Sequence, residues 1–134
     1  MFGPKKIKFW KQHIRKKKGK SLKGNTICFG KYAIMACESS LIPSNQLESI
    51  KNTMLKVTKS KIKIYLRTFP DKPIIMKIRQ TRMGSGKKIP NHWAAIIKTG
   101  KILYEMDGIS ESIAKKVYLI ASTKIAIKTK FIKI

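Results

Sequence analysis

The acidic side chains are few, and only two of them lie close enough in sequence to share a metal ion. The chain has six acids, of which Glu105 and Asp107 are two positions apart. Residues at that spacing share one face of a strand, so the pair could hold a magnesium ion for RNA cleavage. The alternative is an ordinary turn, because Asp107-Gly108 favours chain reversal and Glu111 suits the first turn of a helix. We favour the turn and expect no catalytic residue and no enzyme.

The cysteines and histidines do not form a metal-binding pattern. Cys28 and Cys37 are nine positions apart without a CxxC pair, and His13 and His92 are the only histidines. A zinc site is therefore not expected, and free thiols in a reducing compartment are the better interpretation. The run 84–88 is not a nucleotide-binding P-loop, since that motif has a longer glycine spacing and ends in Lys-Ser/Thr before a helix. The sequence predicts no metal and no cofactor.

Positive charge dominates the chemistry of the chain. Its 134 residues, a length typical of one domain, carry 31 Lys+Arg against 6 Asp+Glu, a net charge of +25. So much like charge in a small volume repels itself, so the folded chain needs a polyanion as counter-charge. A nucleic acid fits best, because its phosphates pair with many cations and release counterions. An anionic membrane surface is the weaker alternative, and no apolar run reaches the roughly 18 residues that a spanning helix needs.

A glycine-containing basic loop is the first candidate for contact with RNA. Two glycines one residue apart let the backbone turn sharply and approach a partner closely. Flanking cations and main-chain amides can then face phosphate oxygens. The alternative is a hairpin tip with solvated lysines. The predicted loop consists of Arg82, Met83, Gly84, Ser85, Gly86, Lys87 and Lys88.

A basic N-terminal extension is the second candidate. Residues 1–25 hold ten Lys+Arg and no acid, in front of a predicted single domain over 26–134. Phe2, Phe9 and Trp10 are interleaved among the cations, where aromatic rings can stack on bases or pack against the domain. A disordered tail is the alternative, but we favour an arm ordered by RNA. Its predicted RNA contacts are Lys5, Lys6, Lys8, Lys11, His13, Arg15, Lys16, Lys17 and Lys18.

The first half of the domain is predicted to form a strand, a helix and a second strand. Residues 26–38 are β-rich, with a bulge expected at Gly30. A helix is predicted over 44–58, with an apolar stripe. Residues 59–69 alternate between apolar and cationic side chains, which predicts a strand with one buried face. The helix stripe is Leu47, Ile50, Met54 and Val57, the buried strand face is Ile62, Ile64 and Leu66, and the outer face is Lys61, Lys63, Tyr65 and Arg67. Of these outer residues, Lys61, Lys63 and Arg67 are predicted to contact RNA.

The second half adds strands and a second helix. Residues 69–73 read as a turn, and 74–81 as a strand that carries a further predicted RNA contact, Arg79. Strands over 92–98 and 101–106 are expected to form a hairpin across Thr99-Gly100. A helix over 110–123 and a strand over 126–134 complete an α+β fold, a mainly antiparallel sheet with two helices packed on one face. The second helix is expected to bury Ile113, Val117, Ile120 and Ala121.

Several blocks of the sequence together resemble one known family. GPKKIKFWKQH, GNTICFGKYA, FPDKPI, TRMGSGK, GKILYEMDG and IKTKF follow one another as in the universal large-subunit ribosomal protein sixteen of bacteria and organelles, from Pro4 to Phe131. The resemblance is closer to plastid than to plant mitochondrial members. The chain departs from the family before and in the first helix, where Glu38–Ile42 replaces an arginine- and glycine-rich stretch and Asn45 and Asn52 replace arginines.

The resemblance implies a structural constituent of the large ribosomal subunit. Members of this family bind large-subunit rRNA near the aminoacyl-tRNA site and join late in assembly, with the glycine loop directed toward the peptidyl transferase centre. The implied partners are large-subunit rRNA, the aminoacyl-site tRNA and neighbouring ribosomal proteins, with no membrane and no homo-oligomer. A plastid ribosome, reduced plastids included, is the favoured location. A mitochondrial ribosome comes second.

Overall fold

The computed structural model describes residues 2–14, 17–76, 82–84 and 90–134. These residues form seven strands and two helices: β1 Tyr32–Ala36, β2 Ser40–Pro43, α1 Ser44–Val57, β3 Lys63–Leu66, β4 Lys72–Ile74, β5 His92–Ile97, β6 Ile102–Asp107, α2 Glu111–Ser122 and β7 Thr129–Lys133. The helices pack against each other, α1 beside β2 and β5 and α2 beside β1 and β7. The predicted α+β class is confirmed.

The strands are divided between two antiparallel sheets. The first has the order β3-β6-β1-β7 and the second has the order β2-β5-β4. The predicted hairpin of 92–98 with 101–106 is therefore wrong, because β5 and β6 belong to different sheets. The turn between them is held from outside: the Gly100 N–H donates to the Ala36 carbonyl (2.7 Å), and the Thr99 carbonyl accepts from the Ser21 N–H (2.8 Å). These long-range bonds hold the turn at which the chain passes from the second sheet to the first.

The helices were predicted correctly in position but only partly in which face they bury. In α1, Leu47, Ile50 and Met54 are buried as expected, whereas Val57 is exposed. In α2 the buried residues are Ala114, Val117 and Ala121. The predicted Ile113 and Ile120 are exposed instead. Alanines permit closer helix packing than isoleucines, so the bulkier residues lie at the margin of the contact.

Strand boundaries differ more from the sequence-based prediction. Residues 26–31 are not a strand, and the register irregularity of β1 lies between Ile34 and Met35 rather than at Gly30. The third strand begins at Lys63, and Lys59 and Ser60 take positive φ values of 49° and 61° where the chain leaves α1.

Two short strands were not foreseen. The sequence analysis assigns no element to the residues of β2, and β4 occupies the end of the predicted turn 69–73. Pro73 is tolerated within β4 because β4 is an edge strand, where a missing N–H need not break a ladder. Ile74 is the last residue of β4, and the remainder of the predicted strand 74–81 lies largely outside the described residues.

Candidate nucleic-acid interface

Glu105 is a structural carboxylate within the first sheet. It lies on the inner strand β6 and is fully buried. Its oxygens accept hydrogen bonds from the backbone N–H groups of Cys28 (3.2 Å), Phe29 (2.6 Å) and Gly30 (3.0 Å). The carboxylate also forms an ion pair with Arg67. Successive N–H groups that converge on one anion form a nest, here filled by a side chain of the same molecule. Glu105 therefore has a structural role in the fold.

The nest also sets the charge of Glu105. Burial raises its pKa, but the N–H groups of Phe29, Gly30 and Cys28 and the Arg67 guanidinium lower it by more, so the pKa stays below its ordinary value. The carboxylate is ionised at neutral pH, and its oxygens are bound by the three N–H groups and by Arg67. Within residues 2–14, 17–76, 82–84 and 90–134, no group of three or more His, Cys, Asp or Glu is placed to hold a metal ion. The geometry thus gives no support to a magnesium site at Glu105 and Asp107.

Gly30 allows the nest to lie directly on β6. A Cβ at this position would meet the carbonyl oxygen of Met106 at 2.5 Å, a separation that real Cβ atoms do not show. The next N–H, of Lys31, donates to the same carbonyl at 3.1 Å. The glycine that looked like a bulge in the sequence is therefore a point of close backbone contact.

An aromatic and cationic cluster lies above the nest. The Phe29 and Tyr65 rings stack with centroids 5.5 Å apart, and the Arg67 guanidinium carbon is 5.0 Å from the Phe29 centroid. Arg67, predicted as an RNA contact, thus already has partners inside the fold. Lys61 and Lys63, predicted with it, are exposed.

The N-terminal extension begins against the second sheet. The Phe2 ring meets the Phe69 ring edge-on, with centroids 5.3 Å apart. Gly3 lies directly against the Trp93 indole, which β5 provides. The first residues of the arm are therefore packed on the body of the protein.

The end of the extension is held by backbone hydrogen bonds. The Ser21 N–H donates to the Thr99 carbonyl (2.8 Å), and the Gly24 carbonyl accepts from Ile102 (2.9 Å). Lys20 forms a parallel bridge with Thr99. The arm is thus attached at both ends, first on the second sheet and then at the chain segment that leads into the first. The division of the chain into an extension over 1–25 and a single domain over 26–134 stays a prediction.

The predicted arm contacts are mostly open to solvent. Lys17 is partly exposed, and Arg15 and Lys16 lie outside the described residues. The exposed members are Lys5, Lys6, Lys8, Lys11, His13 and Lys18. Their side chains are therefore available to an external polyanion.

Only part of the predicted glycine loop is described. Arg82, Met83 and Gly84 are exposed, and Gly84 has a φ of 124°, in the region that favours glycine. The other predicted members lie outside the described residues, as does Arg79: they are Ser85, Gly86, Lys87 and Lys88.

Few cations are neutralised by acids of the same chain. Within the described ranges, ion pairs involve five cationic side chains, which are Arg67, Lys72, Lys115, Lys128 and Lys133. Among the exposed lysines that the sequence-based list of RNA contacts left out are Lys31 and Lys130, at the edge formed by β7. The Ile134 N–H donates to the Lys31 carbonyl, which places Lys31 beside the end of β7. In the sequence, the repeated lysines of the last strand could have indicated this basic edge.

Together the fold and the charge define a cationic α+β protein suited to a polyanionic partner. In the described part of the chain no helix is both long and apolar enough to cross a membrane. The family described as Ribosomal protein L16p/L10e matches residues 4–132. The chain belongs to this family of ribosomal proteins, as the resemblance of the sequence blocks implied.

Several curated relatives cover almost the whole chain. The large ribosomal subunit protein uL16c of Cicer arietinum is 48% identical over 132 residues, 98% of this chain and 95% of the relative. That of Gossypium hirsutum is 48% identical, with 98% of each chain covered. That of Brachypodium distachyon is 45% identical over 134 residues, all of this chain and 98% of the relative.

Family membership confirms two further expectations. The family is one of structural ribosomal proteins, so the prediction that the chain is not an enzyme is confirmed. The relatives are chloroplast-type proteins, which supports the predicted plastid ribosome as the location.

Proposed function

We propose that the chain binds large-subunit rRNA in a plastid ribosome, beside the aminoacyl-tRNA site, and joins the subunit late in its assembly. The observation that carries the proposal is the surplus of exposed cations on an arm that is attached to the body at both ends. Such an arm presents its cations beside the body of the protein, so it can follow the phosphates of one folded RNA. Because the chain belongs to a family of ribosomal proteins, we expect this polyanion to be ribosomal RNA.

The arm and the outer face of β3 form the main proposed contact. The arm contributes Lys5, Lys6, Lys8, Lys11, His13, Arg15, Lys16, Lys17 and Lys18, and the strand region contributes Lys61 and Lys63. Arg67 supports this surface through its ion pair with Glu105 and its contact with Phe29. In this proposal the protein makes and breaks no covalent bond. Its cations hold RNA in shape, and RNA carries the chemistry.

The arm is tested by charge reversal with a matched control. In one variant Lys5, Lys8 and Lys11 become Glu, and in the other the exposed Lys51, Lys116 and Lys124 become Glu, so both lose the same net charge. Binding of large-subunit rRNA is measured as a function of salt, together with sedimentation with large subunits. We expect the arm variant to bind more weakly and to lose about three from the slope of log affinity against log salt. Equal effects of the two variants would mean that only net charge matters.

The glycine loop is proposed to lie near the aminoacyl-site tRNA, with neighbouring ribosomal proteins around the body. Arg82 is exposed and carries no core packing, so Arg82→Glu is expected to leave thermal unfolding unchanged. Ribosomes that contain this variant should accommodate aminoacyl-tRNA more slowly but bind peptidyl-tRNA normally. Lys98→Glu, at an exposed lysine outside the loop, is the control. Normal accommodation in the Arg82→Glu ribosomes contradicts the placement of the loop.

A further inference from the structure

The three aromatic residues of the N-terminal arm differ in their environment. Phe2 packs on Phe69 and is partly buried. Phe9 and Trp10, by contrast, expose 62% and 51% of their surface. The sequence left open whether these rings pack against the domain or stack on bases. The structure separates one anchoring ring from two adjacent rings that face solvent.

The exposed pair lies in a stretch of the arm that is fixed on both sides. On one side Gly3 contacts the Trp93 indole, and on the other the Gln12 side-chain oxygen accepts a hydrogen bond from the Lys72 ammonium at 3.3 Å. The two rings therefore lie between two points at which the arm contacts the body of the protein. Large exposed apolar side chains that adjoin each other commonly mark a binding site.

Charge around the pair identifies the kind of partner. Residues 1–25 contain no acid, and Lys5, Lys6, Lys8 and Lys11 are all exposed. The Lys8 ammonium is 5.6 Å from the Phe9 centroid, so cation and ring already share one surface. Aromatic rings flanked by cations suit single-stranded RNA, whose bases stack while its phosphates pair with lysines. A duplex keeps its bases stacked on one another, so their faces are not open to an aromatic side chain.

We propose that Phe9 and Trp10 form a stacking site for unpaired nucleobases of RNA, with the neighbouring lysines on the adjoining phosphates. The site deepens the proposed function and rests on it, because it requires an RNA partner. It adds that the arm recognises an unpaired segment, such as a loop or bulge. Stacking tolerates any base, so the site selects single strands rather than a sequence.

Tryptophan emission provides a direct test. The chain has two tryptophans, the half-exposed Trp10 and the buried Trp93, and a Trp10→Phe variant isolates the signal of Trp93. The full chain is titrated with oligoadenylate, an RNA duplex of equal length, polyphosphate and anionic lipid vesicles at one ionic strength. We expect oligoadenylate to quench the emission of Trp10 and the others to quench it much less. Equal quenching by polyphosphate, or stronger quenching by vesicles, overturns the stacking site.

Affinity measurements compare substitutions at exposed apolar side chains. Trp10→Leu keeps an apolar side chain but removes the ring, so affinity for oligoadenylate should fall about tenfold. The salt slope should not change, because no phosphate contact is lost. Trp10→Phe should restore most of the affinity, and Leu119→Ala, at an exposed site on α2, should have no effect. If Trp10→Leu binds oligoadenylate as tightly as the natural chain, the proposal is wrong.

The two proposals fail in distinguishable ways. If the natural chain binds RNA with steep salt dependence but Trp10 emission and affinity do not respond as stated, only the stacking site is overturned. If the natural chain binds neither oligoadenylate nor large-subunit rRNA, the proposed function fails as well. Circular dichroism of each variant checks that the fold is retained, which is expected because Trp10 is half exposed.

Discussion

At the scale of single residues, Glu105 joins parts of the chain that are far apart in sequence. The N–H groups that it binds are 75 to 77 positions away, and its cationic partner Arg67 is 38 positions away. One buried carboxylate therefore fixes the start of the domain onto the inner strand of the first sheet. The same bonds position Phe29 and Arg67 at the surface, so a structural residue shapes the proposed RNA-facing side.

Glu105→Gln is expected to lower the free energy of unfolding by about 1–3 kcal/mol at pH 7. The amide keeps one acceptor oxygen but turns an NH₂ group toward N–H donors, and it leaves Arg67 without its anion. Arg67 is partly exposed, so water takes over some of its solvation and the loss stays moderate. Urea unfolding at moderate salt measures the change. Asp107→Asn makes the same charge change on the same strand, outside the nest, and should alter stability little.

The pH dependence gives Glu105→Gln a second readout. The folded state holds the pKa of Glu105 below its ordinary value of 4.5, so the unfolded state binds more protons near that pH. Its stabilisation is therefore complete above about 4.5 and is lost as pH falls through the lower folded pKa. The free energy of unfolding should fall less steeply in Glu105→Gln than in the natural chain as pH is lowered from 5. Parallel curves would contradict the role of the nest.

Residue patterns predicted the exposure of the arm cations but not the role of Glu105. The arm has no acids, so its lysines have no local partners and remain exposed. Glu105 looked like one half of a carboxylate pair because Asp107 is near in sequence. Its true partners could not be found this way, since nest formation depends on the local path of residues 28–30. No periodicity encodes that path.

At the scale of elements, long periodic segments were predicted well and short strands poorly. Helix α1 has apolar residues at helical spacing over 14 residues, which is sufficient to define it. Strands β2 and β4 have four and three residues, too few to show an alternation. The two-sheet arrangement was missed because Thr99-Gly100 resembles a hairpin turn. The bonds that redirect it come from Ser21 and Ala36, which local sequence does not reveal.

The start of helix α1 has no side-chain cap but is linked to the first sheet by a hydrogen bond. Pro43 occupies the N-cap position and gives no side-chain hydrogen bond. The buried Ser44 hydroxyl has no hydrogen-bond partner among the described residues. One turn later, the Tyr104 hydroxyl of β6 donates to the Leu47 carbonyl at 2.6 Å. Burial also raises the pKa of Tyr104, so the hydroxyl stays protonated and remains a donor.

This arrangement predicts opposite outcomes for two conservative substitutions that both remove a buried hydroxyl. Tyr104→Phe loses a hydrogen bond and should lower the free energy of unfolding by about 1 kcal/mol. Ser44→Ala removes a buried polar group without a partner and should be neutral or stabilising by up to about 1 kcal/mol. Urea unfolding of the two variants side by side makes the comparison. A clear loss of stability in Ser44→Ala would show that its hydroxyl does have a partner.

At the scale of the whole molecule, repulsion among cations should govern how stability responds to salt. The chain carries +25, and ion pairs in the described ranges involve few cations, so salt has more repulsion than attraction to screen. Raising sodium chloride from about 10 to 200 mM shortens the screening length from roughly 30 Å to below 10 Å.

The melting temperature should therefore rise with salt, by about 3–6 °C for each 1 kcal/mol of repulsion relieved. Differential scanning of the RNA-free chain measures it, and the rise should exceed the one that sucrose gives at equal osmolality by its exclusion from the protein surface. Polyphosphate should act at far lower concentration, because a ligand that binds the folded chain stabilises it by mass action. A melting temperature that falls with salt would mean that internal ion pairs outweigh the repulsion. The need for a polyanionic partner would then lose its physical basis.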